Sequence, residues 1–500
     1  MKHCPSRRWF LNQTAAVSSA ALLPGINPVS GAATVLDTDI VQFRPEIEPL
    51  VRLIESTPRQ KLMEEIGSRV KSGTSYQELL TGLFLAAIRN VQPRPIVGFK
   101  FHAVLVVHSA HLASVSSSDS DRWLPIFWAL DEFKSSQALD VEEGDWTMAP
   151  VRESSVPDAA KALAEFHAGM DHWDEAKSDA AAAALVRHAD ANDVFEAFVR
   201  YAARDYRNIG HKAIFTANAW RTLQTIGWKH AEPVMRSLAY AMLNHHGEPN
   251  PSTSDLDADR PWRQNVELAR SLKDDWHDGR IDTAAAQSLI DVLRSGTPQE
   301  ASVATAETLN DGISPQSVFD ALHTVSAELL MKQSGIIALH AVTTTNAIRF
   351  LFDTSSVDET RRMLILQNAA FLPMFRKSMR RRGRVGEYSI DSLTADENTV
   401  SDLESIFLNV GRNRAAAWNG VYRYLDQGND PQELLAAARR LIFLKGSNSH
   451  DYKFSSALLE DYHKISPAFR NQFLAAGSTM LRGSTSANNG LVARIRNAVT

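Results

Sequence analysis

Four histidines occupy equivalent places in the chain and could do chemistry together. His102, His211, His340 and His450 each stand near the start of a helical segment: "FHAVLVVHSAHL" (101–112), "GHKAIFTANAWRTL" (210–223), "LHAVTTTNAIRFLF" (339–352) and "SHDYKFSSALLEDY" (449–462). Neutral imidazole is the commonest protein ligand for a transition metal. If the four helix starts gather at one mouth, they can bind a divalent ion such as iron or zinc. Asp320 and Glu196 hold the same position in the preceding helices of their segments, six residues after Ser314 and Asp190. A carboxylate there would ligate the ion or orient an imidazole. His108 and His111, three residues apart, face one side of a helix. The register argues against full convergence. His102 and His211 precede a small-residue pair by seven residues, His340 and His450 by six. One residue is about 100° around a helix, so the four face one way only if a helix starts differently or bulges. Otherwise each histidine is a polar residue hydrogen-bonded to a nearby carbonyl.

The elements that must position these residues form an internal repeat. "SYQELLTGLFLAAIRNV" (75–91), "NDVFEAFVRYAARDY" (192–206), "SPQSVFDALHTVSAELL" (314–330) and "DPQELLAAARRLIFL" (430–444) align. Ser314 and Asp430 read as N-caps with Pro315 and Pro431 at the first helical position. Glu78 and Glu433 sit at capping-box spacing from Ser75 and Asp430, which gives them a structural role. Each first helix leads into a histidine-bearing second helix with a small pair: Ser109-Ala110, Asn218-Ala219, Asn346-Ala347 or Ser456-Ala457. Small residues let helices approach closely and mark a packed seam. A third helix opens near Pro125, Pro233 and Pro467. Strand patterns are almost absent. The expected fold is therefore all-α, four helical repeat units (about 50–142, 158–250, 262–384 and 400–500) in a solenoid or α/α toroid-like array. Breaks are expected at 114–121, 143–157, 247–261, 296–315 and 383–397. The basic run Arg376–Arg384 caps a helix C-terminus and enters a loop.

Composition narrows the function. Apolar residues make up 44% and charged residues 22%, with a net charge of −5, so no general attraction to nucleic acid is expected. The stretch "SRRWFLNQTAAVSSAALLPG" (6–25) has a basic start, a short apolar run and small residues beyond it. Residues 1–33 therefore read as a secretory signal, too short for a membrane span. Ser6-Arg7-Arg8-Trp9-Phe10-Leu11 resembles the core of twin-arginine signals. That likeness implies recognition by the twin-arginine translocase, export after folding, and a periplasmic or extracellular address. The only cysteine, Cys4, would leave with the signal. The mature chain would then hold no disulfide, Fe–S cluster or thiolate zinc site.

Other polar clusters have structural explanations. His167, Asp171, His172 and Glu175 fit an exposed polar helix, on which His172 and Glu175 share a face. His245 and His246 precede Gly247 at a helix end. Trp123, Trp128, Trp220 and Trp228 suit a core or a pocket wall. No G-x-S-x-G, H-E-x-x-H or Walker A motif occurs.

"GHKAIFTANAWRTLQTIGWKHAEPVMRSL" (210–238) resembles the helical region of bacterial proteins often fused to a Rieske iron–sulfur domain, and more distantly the questin-oxidase-like family. The residues that carry the likeness are His211, Asn218-Ala219, Ile226-Gly227-Trp228 and Glu232-Pro233. It implies an all-helical fold and a link to oxidation of organic compounds. The chain departs from it in having no Rieske cysteine–histidine pairs and no dinucleotide G-x-G-x-x-G. Two functions are expected. One is an exported, metal-assisted oxidoreductase using the histidines of the second helices. The other is a non-catalytic helical repeat that binds a small molecule or protein on its concave face.

Overall fold

Each unit is nucleated by helix starts that the sequence specifies. The Ser75 hydroxyl accepts from the Glu78 N–H while the Glu78 carboxylate returns to Ser75, a complete capping box on Tyr76–Asn90. Ser314 caps Pro315–Lys332 and Asp430 caps Pro431–Lys445 through the N–H two residues on. Glu433 makes no capping box; it accepts from the Tyr424 hydroxyl at 3.2 Å instead. The remaining first helix is Ala191–Ala202. The second helices are His102–Leu105 continued by Val107–Val115, then His211–Ile226, Ile336–Thr354 and Ser449–Asp461. The third helices are Leu124–Glu142, Ala231–Met242, Asp358–Arg380 and Pro467–Gly477. The structure is a computed structural model describing residues 39–500 apart from 94–99, 119 and 244–246. The twin-arginine segment, His245 and His246 lie outside the described residues.

Packing closes these units into a ring. The second helix of unit I touches those of units II and IV, and the second helix of unit III also touches both. The outer layer repeats the same cycle. The first helix of each unit packs on the third helix of the next, and the first helix of unit IV packs on the third helix of unit I. Equivalent side chains repeat the joint. Gln77 Nε2 donates to the Thr225 carbonyl and Gln316 Nε2 to the Lys464 carbonyl, both at 2.9 Å. The last helix adds to this closure. Leu491–Val499 lies against Arg59–Lys71 so closely that a Cβ on Gly67 would sit 2.3 Å from the Ala498 carbonyl oxygen. Among the described residues there is no β-strand, only an isolated bridge between Arg280 and Ile313.

Three local expectations are corrected. The span 296–315 is not one loop, because Thr297 and Glu300 form a capping box and Pro298–Asn310 is helical. His172 and Glu175 do not share a helix face: Trp173 adopts φ 63° and separates Ala162–His172 from Glu175–His188. The basic run does end a helix, at Arg380, but Arg376 also donates to the Leu293 and Gly296 carbonyls at the end of Thr283–Ser295.

Candidate metal centre

The ring brings the histidines together despite their unequal spacing. In unit I the helix breaks at Val106, between His102 and its small pair. In unit II His211 is the first residue of its helix, whereas His340 lies a full turn inside its own. These different starts absorb the one-residue register difference. His102 Nε2 lies 3.2 Å from His211 Nε2, and His340 Nε2 lies 3.1 Å from the same atom. The three form the only group of three or more potential ligand side chains within metal-binding distance among the described residues. All three are buried.

The protonation state follows from the outer hydrogen bonds. His211 Nδ1 meets the Asn208 carbonyl at 2.5 Å and His340 Nδ1 meets the Ile336 carbonyl at 2.7 Å. A carbonyl only accepts, so each Nδ1 carries the proton. Burial holds the His211 imidazole down to about 3, with the Lys453 ammonium adding to the effect and the Asn208 carbonyl opposing it. Burial also pushes His102 and His340 well below the ordinary histidine range, helped by Lys453 and the neighbouring imidazoles. Neutral His211 and His340 therefore point bare Nε2 lone pairs at one another. In a tetrahedral site with metal–nitrogen bonds of about 2.05 Å, ligand nitrogens stand about 3.3 Å apart. The donors are spaced to share one cation, and their outer bonds to carbonyls are those of metal-binding histidines.

Backbone strain aims His211. Asn208, Ile209 and Gly210 have φ of 56°, 49° and 85°, and a left-handed β-branched residue is rare. This turn brings the Asn208 carbonyl to His211 Nδ1. Buried ion pairs grip both sides: Arg207 with Asp259 at 2.6 Å and Lys212 with Asp205 at 2.5 Å. A Cβ on Gly210 would sit 2.0 Å from Thr344 Oγ1 on the neighbouring inner helix.

His450 joins the cluster differently. Its ring packs edge-on to His102 at 4.4 Å between centroids and lies 5.3 Å from His340. Its Nε2 is buried without a hydrogen-bond partner, and it falls outside the three-nitrogen group. Burial, Lys453 and His211 hold it down to about 3. The two carboxylates are engaged elsewhere. Asp320 accepts from the Ser466 N–H and from Gln316 Nε2. Glu196 accepts from the Ser355 hydroxyl and the Ser356 N–H. Both brace helix ends. His108 Nδ1 has no partner, while His111 Nδ1 meets the Tyr76 hydroxyl at 3.2 Å, and the two rings stand 6.1 Å apart between centroids. Of the tryptophans, Trp128 stacks on Tyr452, and Trp220 packs at a tilt on Phe195.

Lys453 escaped the sequence reading. It lies one turn beyond His450, fully buried, with no partner for Nζ. Burial lowers it to about 7, against the pull of Glu132. It borders a cavity of about 10 Å³ on the ring axis, as do Ser109, Asn218, Asn346 and Ser456. That volume suits about one water molecule. The first members of the four small pairs thus line the axis, and their alanines are buried between the inner helices. On the cavity wall Arg221 pairs with Glu460 at 2.9 Å, and Asn346 donates to Asp461 at 2.7 Å. The one available signal for Lys453 was a lysine on the histidine side of a helix that is otherwise aromatic and small there.

No helix among the described residues is long and apolar enough to cross a membrane. No family model, curated protein or solved structure matches the chain.

Proposed function

We propose that this is an exported metalloenzyme in which His102, His211 and His340 hold one divalent transition metal that assists oxidation of a small organic molecule by an external electron acceptor such as dioxygen. The observation that carries the reading is the pair of neutral imidazoles, His211 and His340, whose Nε2 atoms face each other at 3.1 Å with both Nδ1 protons committed to carbonyls. Three imidazoles leave at least one coordination position open, as catalytic sites require and closed structural sites do not. With no cysteine after Cys4, imidazole is the soft-to-borderline ligand at hand, and it suits iron, zinc and copper. The likeness of residues 210–238 to the Rieske-fused and questin-oxidase-like proteins supports the oxidative reaction class. The Ser6–Leu11 motif supports a periplasmic or extracellular address through the twin-arginine translocase.

Elemental analysis of protein purified without chelator tests the reading. About one iron, zinc or copper per chain is expected, with less than a tenth of that in His340→Ala. Background metal in both would instead favour a non-catalytic array that binds a partner on its concave face.

A further inference from the structure

A second pocket, of about 850 Å³, lies where unit I meets the last part of unit IV. That volume lies within the range of small-molecule sites. Arg59–Lys71, Leu124–Glu142 and Leu491–Val499 all contribute to its wall, and none of the four clustered histidines does.

Three arginines of the wall are held in the same way. Arg59 binds Asp131 through Nε and Nη2 at 2.9 and 2.6 Å. Arg494 binds Glu64 through Nε and Nη2, both at 2.6 Å. Arg482 binds Asp451 through Nε and Nη2 at 3.0 and 2.5 Å. A carboxylate on those two nitrogens fixes the guanidinium plane and leaves the two N–H donors of Nη1 free. None of the three Nη1 atoms donates to a partner among the described residues. Guanidinium groups braced in this way match the oxygens of phosphate or carboxylate.

The remaining charges favour the same guest. Lys445 Nζ donates to the Ser486 carbonyl at 2.5 Å and to Asn488 Oδ1 at 3.1 Å, and neither acceptor is charged. Leu491–Val499 opens on this wall at Gly490, which supplies no side-chain cap, so the positive end of its dipole adds to the lysine. Glu64 and Asp451 are not on the wall, and Asp131 gives both oxygens to Arg59. Glu132 is the remaining acid. Burial, then Asp131, push its carboxyl above the ordinary range toward the neutral form, against Arg59, Lys453 and Ser449.

We propose that this pocket binds a small organic oxyanion, a phosphate or carboxylate whose oxygens take the free donors of Arg59, Arg482 and Arg494 and whose charge is met by Lys445. The assignment is independent of the metalloenzyme reading, since the two sites share no residue.

The test titrates the full-length protein with glucose 6-phosphate, glucuronate and glucose in a calorimeter. The three probes share one body and differ in charge. Saturable binding of at least one anion, and none of glucose, is expected. Glucose 6-phosphate alone would assign a phosphate guest, glucuronate alone a carboxylate. Arg494→Gln should weaken that binding about tenfold or more, the worth of one charge-assisted hydrogen bond. Ser135→Trp, which fills the pocket and leaves every arginine in place, should do the same, and it serves if Arg494→Gln loses its helical circular dichroism. His340→Ala and the chelated parent should bind as the untreated parent does. No binding of either anion overturns the proposal, as does equal binding of glucose or full binding in a folded filling variant. Loss of binding in His340→Ala and in the chelated parent also overturns it, because the anion would then sit on the metal.

Discussion

His211 Nε2 and His340 Nε2 approach to 3.1 Å across 129 residues of sequence, and neither has a proton to give the other. Two lone pairs at that distance repel unless a cation lies between them. The arrangement costs stability in the metal-free protein, and a metal bound there would return it, because a ligand that binds only the folded state adds its binding energy to folding.

His211→Ala should therefore lower metal content and the melting temperature together. A metal held at a hundred times its dissociation constant adds about 2.7 kcal/mol. In chelator-treated samples the parent loses that contribution and the gap between the two proteins should narrow. An unchanged gap in paired melts would leave His211 a purely structural residue.

Acid should unfold the metal-free protein early. His211 and His450 are held at about 3 in the folded state, against about 6.5 when unfolded. Between those values the unfolded chain binds more protons, so their contribution is fully present above about pH 6.5 and is lost as pH falls toward 3. Each contributes a slope of up to about 1.4 kcal/mol per pH unit in that window. Urea titrations of chelated protein at pH 7.5, 6 and 5 measure it; stability independent of pH would contradict the buried, neutral assignment.

Lys453→Met should stabilise the metal-free protein at pH 7, because it removes a buried amine whose charged form has no partner. The gain is about 1.4 kcal/mol for each pH unit by which burial lowers that amine below its unfolded value. The native lysine is fully buried with no partner for Nζ and is lowered to about 7. Below about pH 10.5 the unfolded chain binds that proton more readily, so the native lysine costs stability there. The benefit of the substitution should shrink as pH rises from 7 toward 10.5. A destabilised variant at pH 7 would mean that Nζ has an acceptor in solution.

Overpacking tests the inner ring. Ala219 and Ala347 are buried between inner helices, at 1% and 2% exposure. Ala219→Leu or Ala347→Leu should destabilise by about 1–3 kcal/mol. Gly210→Ala should cost more than Gly428→Ala. Both glycines have positive φ, 85° and 77°, but only Gly210 would drive its Cβ into Thr344, whereas Gly428 faces open space. Thermal melts of the four variants decide the matter.

The histidines and small pairs were legible because a repeat writes the same residue at the same place four times. Helix caps such as Ser75 with Glu78 were legible because their chemistry is local. The convergence was hidden by the one-residue register difference, which only the break at Val106 and the late start of the unit II helix resolve. No composition rule announces Ile209 at φ 49°, in a turn flanked by the buried ion pairs of Arg207 and Lys212. Asp320 and Glu196 looked like ligands because repeat position says nothing of competing partners. Ser466 and the Ser355–Ser356 turn, distant in sequence, claim both carboxylates. Residues 298–310 were lost to the polar composition around them, although Thr297, Pro298 and Glu300 spell a helix start.

The joint between the first helix of unit IV and the third helix of unit I has a kinetic meaning. Contacts between the two ends of a long chain pay a large loop-closure entropy before they are rewarded, and they form late. The three converging nitrogens come from residues 102, 211 and 340, in units I to III, whose inner helices touch one another without unit IV. His450, the fourth imidazole, arrives only with the closing joint. The cluster is therefore assembled in two stages, three rings before the circle shuts and the fourth as it does.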